Sequence, residues 1–164
     1  MRISILLPSL AALTPSSISG RGPAAAAVAP CTIATEACEQ WITFNGGPAR
    51  SMVYASYSLD APNPAITRAL VMVHGAGRNA DHYFETSMAA AFLAGALDNT
   101  VVVAPHFTAT TDKPRENEVV WPERGENWRS GGMSPTNPTL SSFGFLDEIL
   151  RKLADKRNFP NLTK

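Results

Sequence analysis

Ala69-Leu-Val-Met-Val-His-Gly-Ala-Gly77 decides the fold: five apolar residues in a row run straight into a histidine and two glycines, and polar Arg78-Asn79 follows. A continuous apolar run that ends at turn residues suits a strand covered on both faces, as in a parallel sheet. A second such run, Thr100-Val-Val-Val-Ala104, ends at Pro105. Between the two, residues 80–97 place Phe84, Met88 and Phe92 at four-residue steps with Leu93 and Leu97 beside them, which predicts one helical stripe. Strand, helix, strand makes a βαβ unit, and the chain is expected to be an α/β protein with a parallel pair at its centre.

Upstream, Trp41-Ile-Thr-Phe44 and Ser51-Met-Val-Tyr-Ala-Ser-Tyr-Ser58 flank the turn signal Asn45-Gly46-Gly47-Pro48, which predicts an antiparallel hairpin of partly buried strands. Downstream, residues 105–139 carry five prolines and three glycines, so regular structure is not expected over about 35 positions, and ordered loops of that length tend to be functional. Trp121 and Trp128 lie in this loop among Arg115, Arg124 and Arg129, and either line a cleft or anchor the loop to the core. A second amphipathic helix follows over 141–157, with Phe143, Leu146, Leu150 and Leu153 facing inward. Asp147 with Arg151 and Glu148 with Lys152 form its exposed pairs.

Formal net charge is zero across 164 residues and 17% are charged, so no basic surface points to nucleic acid. No apolar run approaches the ~20 residues that span a bilayer. Arg2, the apolar segment Ile3–Leu13 and the small-residue patterns Ala25-Ala26-Ala27 and Ala27-Val28-Ala29 read as a secretory signal over residues 1–29, the alternative being a disordered Ala/Pro-rich leader, and leave one domain over 30–164. Cys31 and Cys38 are the two cysteines of the chain, and they are spaced to close a small disulfide loop in an oxidising compartment. Export, to the medium or a periplasm, is therefore the expected fate.

The turn His74-Gly75-Ala76-Gly77 carries the chemistry. Glycine permits a tight turn that aims backbone N–H groups at one place, and a helix N-terminus just beyond adds favourable potential for negative charge. The donors are expected to be the amides of Ala76 and Gly77, with His74 and Gly75 shaping the loop. His74 is expected to pack in the turn with a ring nitrogen bonded to backbone; His82 falls in a first helical turn and His106 after a strand end. No metal-ligand spacing connects the three, and no metal or cofactor is expected.

In its order of elements the stretch 40–164 resembles the α/β-hydrolase family, specifically its secreted esterase- or lipase-like members. The matching positions are the hairpin, strand 69–73, loop 74–77, helix 80–97, strand 100–104, excursion 105–139 and helix 141–157. The resemblance implies a small-molecule ester or acyl substrate, with the next strand ending in the nucleophile elbow G-x-S-x-G and the acid and histidine following it. The chain has no G-x-S-x-G; the nearest string, Gly132-Met-Ser134-Pro-Thr136, ends in threonine, and Ser134 is not expected to be a nucleophile. No catalytic residue is assigned. The expectation is the N-terminal portion of a secreted serine hydrolase, inactive as it stands, whose sheet lacks a strand beside 69–73 and self-associates through that edge. The alternative is a non-catalytic secreted binding protein on a partial hydrolase scaffold.

Overall fold

The computed structural model describes residues 28–163, so the leader expected over 1–29 lies almost wholly outside the described residues. Four strands form one open sheet in the order β1-β2-β4-β3: β1 (Glu39–Thr43), β2 (Arg50–Ala55), β3 (Arg68–Val71) and β4 (Thr100–Pro105). β1 pairs antiparallel with β2, and β2 antiparallel with β4. β3 and β4 are the parallel pair. The hairpin turn uses Asn45 and Gly46 at φ of 52° and 67°, left-handed conformations that asparagine and glycine tolerate best.

Two helices cover the two faces, α1 (Ala80–Leu93) and α2 (Ser142–Ala154). Against α1 pack Cys38, Val102 and Ala104, with Phe84 and Met88 from the helix. The larger core lies on the other face, where Phe145, Ile149 and Leu153 of α2 meet Val53, Val101 and Val103 of the sheet. β4 is therefore sandwiched, and all six of its residues are buried, as its continuous apolar run requires. β2 is more deeply buried than an outer hairpin strand would be, because β4 and not solvent lies on its second side.

Helix α1 is shorter than expected. Gly95 takes φ of 61° after Ala94, its amide reaches Phe92 O and the Ala96 amide reaches Ala91 O, closing a Schellman turn before the 3-10 turn Leu97–Asn99. The expected stripe is corrected as well. Phe84 and Met88 are buried, but Phe92 is 68% and Leu93 84% exposed, while Ala80, Ser87 and Ala91 complete the buried face. Each four-residue step overshoots a full turn by about 40°, so the third member of the series leaves the face. Ser87 is tolerated inside because its hydroxyl donates to Tyr83 O at 2.8 Å.

Helix α2 shows the same kind of displacement. Its inward residues are Ser142, Phe145, Ile149 and Leu153, with Leu146 packed beside them, whereas Phe143 and Leu150 are both 53% exposed. Neither expected exposed pair forms. Arg151 instead pairs with Glu148 one turn back, and Lys152 reaches across to Asp60. The helix starts where Ser141 accepts the Gly144 amide at 3.0 Å, the N-cap bond that serine is suited to make.

Cys31 and Cys38 are joined in a disulfide with a Cα–Cα distance of 5.6 Å, pinning the chain before β1 against the α1 face. No helix among the described residues is long and apolar enough to cross a membrane.

Candidate functional site

Beyond β3 the chain turns through His74–Gly77 and enters α1 at Ala80. The Arg78 amide closes the turn on Gly75 O at 3.1 Å. Arg78 itself has φ of 55°, an uncommon conformation for a residue with a Cβ. Its guanidinium holds it there: two nitrogens meet the Asp112 carboxylate at 3.1 and 3.0 Å, and a third meets Glu123 at 3.0 Å. The excursion thus grips the turn through a forked ion pair. Gly75 suits a close approach, since a Cβ there would stand 3.0 Å from the Tyr83 hydroxyl, which would have to give by a few tenths of an ångström.

His74 is 2% exposed, and both its ring nitrogens are used. Nε2 accepts the Phe107 amide at 3.0 Å, so the proton sits on Nδ1 and is donated to Gly75 O at 2.9 Å. Burial pushes its pKa below the ordinary histidine value, outweighing the Gly75 carbonyl, which acts in the opposite direction. The ring is a neutral strut between the ends of β3 and β4. Trp128 lies edge-on to it at 4.8 Å and Phe107 at 5.7 Å. The Ala76 and Gly77 amides make no hydrogen bond among the described residues, and both residues are exposed at the mouth of the turn. The long excursion that flanks this turn contains one short regular element, the 3-10 turn Trp128–Ser130, capped by Asn127. It is nonetheless firmly packed. Trp121 is fully buried and stacks on Phe145 at 5.7 Å, and Trp128 stacks on Phe107 at 5.1 Å. The two tryptophans therefore anchor the loop to the α2-side core. Of the arginines read with them, Arg115 is bound to Glu39 and lies over Trp41, and Arg129 lies 5.9 Å from the Trp128 ring.

Ser134 is 1% exposed, and its Oγ accepts the Thr136 and Asn137 amides at 3.1 Å each. Its hydroxyl shapes a loop turn. The histidines do not assemble: His82 is open to solvent beside Asp81, and among the described residues no group of three acid, histidine or cysteine side chains is placed to hold a metal ion. His74 and His106 have ring centroids 6.0 Å apart, but His74 has no free lone pair to offer a ligand.

A cavity of about 360 Å³ opens on the α1 face, beside the turn and between β1, β2 and the start of the excursion. Arg78, Tyr54, His106 and Arg115 border it. Nothing in the sequence marked it, because its walls come from residues up to 79 positions apart, Glu39 to Glu118. Compared with protein-family profiles, with curated proteins and with solved structures, the chain finds no match.

Proposed function

We propose that this chain is the N-terminal portion of a secreted hydrolase of α/β-hydrolase type, acting on carboxylic esters or related acyl bonds. The observation that carries the reading is the 74–77 turn: two uncommitted amides, at Ala76 and Gly77, just ahead of a fourteen-residue helix and behind a parallel strand. In acyl transfer the carbonyl oxygen becomes an oxyanion, and rigidly held N–H donors lower the barrier because they need no reorganisation as charge develops. Rigidity is supplied by His74 from within and by the Arg78 fork from outside. The helix N-terminus adds positive potential.

The position of β3 supports the same reading. It pairs with β4 on one side, and among the described residues nothing pairs with the other. That is where the resemblance puts the strand leading to the nucleophile. The nucleophile, the acid and the catalytic histidine have no counterpart in the chain, so the 164 residues alone do not turn over esters.

Reading the gene past the Lys164 codon in all three frames tests the assignment. The expected result is a β-prone run and G-x-S-x-G within about fifteen codons, then an acid and a histidine in that order. A reading frame without such an elbow contradicts it and leaves the non-catalytic binding protein as the account to adopt.

A further inference from the structure

The cavity beside Arg78 has its own chemistry, independent of the reading of the 74–77 turn. At its wall the Thr108 hydroxyl donates to Glu118 Oε1 at 2.5 Å. A hydroxyl has one hydrogen, so the contact from Thr108 Oγ1 to His106 Nδ1 at 3.2 Å is one in which the ring donates. The proton is thereby fixed on Nδ1, and Nε2 is left with a bare lone pair. Nε2 makes no hydrogen bond to a described residue, and burial keeps the ring neutral against the pull of Glu118.

The charges that border the cavity are largely spoken for. Arg78 is forked onto Asp112, and Arg115 is bonded to Glu39, with a second contact at 3.0 Å. Lys113 and Asp81 add one charge of each sign, and Glu118, bonded to the Thr108 hydroxyl and the Arg115 amide, leaves one negative charge in excess. An anion would find guanidiniums already neutralised and carboxylates beside them, and a cation would find the reverse. Paired ions retain unused N–H groups and lone pairs, however, and the Tyr54 hydroxyl has no partner among the described residues. A wall that offers both donors and acceptors, its charges mostly paired and one negative in excess, matches hydroxyl groups, each of which both donates and accepts.

We propose that this cavity binds a neutral polyhydroxylated molecule of monosaccharide size, one hydroxyl of which donates to His106 Nε2. Its volume lies at the small end of ligand cavities.

Saturation-transfer NMR on the full 164-residue chain with methyl glucoside as the probe tests this, and it tolerates self-association because the ligand is observed. Saturation should reach the glucoside ring protons and fall about tenfold in His106→Phe, which keeps a ring and removes the acceptor. His82→Phe, at an exposed histidine, should leave it unchanged. In the unsubstituted chain the His106 ring nitrogens should report a protonated Nδ1 and a bare Nε2 whose resonance moves when the glucoside is added. That measurement decides the matter if His106→Phe fails to fold. Absence of transfer, transfer that survives His106→Phe in a folded variant, an unmoved Nε2 resonance, or displacement of the glucoside by inorganic phosphate would each overturn the proposal.

Discussion

His74 is buried and His106 half-buried, both as neutral rings, and this has a consequence for pH. Both have folded-state pKa values below the ordinary 6.5, chiefly through burial, so in acid the unfolded chain takes up protons that the folded chain refuses. The sign follows from linkage: stability is full above about pH 6.5 and falls as pH drops from there toward the folded-state values. Denaturant unfolding at a series of pH values between 7.5 and 5 should show this decline, above the range where the Glu39 carboxylate, held low by Arg115, begins to contribute. A flat profile over that interval would mean that the two rings are not shielded from solvent as described. At this scale the sequence was informative about His74, because a histidine between an apolar strand and two glycines has few places to go. It was silent about Arg78 and about the Glu118–Thr108–His106 chain. Those contacts join residues brought together by folding, and a positive φ at an arginine leaves no trace in composition.

Among the elements, strands and the hairpin turn were legible because their signals are local: unbroken apolar runs for β3 and β4 and Asn45-Gly46 for the hairpin, whereas the apolar stripe carries the expected helix to 97, past the stop at Gly95. Helix faces were not, since α1 and α2 each carry more apolar residues than one face can bury, and only packing against the sheet selects among them. Two substitutions measure that selection. Phe84→Ala should cost about 3–5 kcal/mol of unfolding free energy, whereas Phe92→Ala should stay within about 0.5 kcal/mol. Chemical denaturation of both variants compares the two faces directly, and equal losses would restore the rejected stripe. The disulfide belongs to this scale too. Closing a short loop in the unfolded chain, it should contribute about 2.5 kcal/mol, which the difference in unfolding free energy between Cys31→Ser/Cys38→Ser and the oxidised chain would give. No loss on its removal would show that the segment before β1 is held by its packing alone.

For the molecule as a whole, β3 has no strand partner among the described residues on the side away from β4, and its Leu70 and Val71 are only partly buried. Free strand edges with apolar side chains recruit other chains. Sedimentation velocity on the 164-residue chain should therefore show concentration-dependent self-association, and Leu70→Lys should reduce it by placing a charge on the strand. A monomer at all micromolar concentrations with a sharp cooperative melt would mean that the edge is covered. In the aromatic excursion, anchoring to the core was one of the two readings of Trp121 and Trp128, and it is the one the core bears out; that Phe107 joins them there was not read from the sequence.

The central claim is that the 74–77 turn holds an oxyanion. Its most direct test is hydrolysis of p-nitrophenyl butyrate by the product of the reading frame that continues past Lys164, with and without Gly77→Pro, which removes one of the two amides. The account predicts ester turnover abolished by a serine-directed phosphonate, and a kcat lowered by about 10²–10³ in the substituted protein with KM little changed. A product without esterase activity, or one whose kcat is indifferent to the loss of the Gly77 amide, would contradict it.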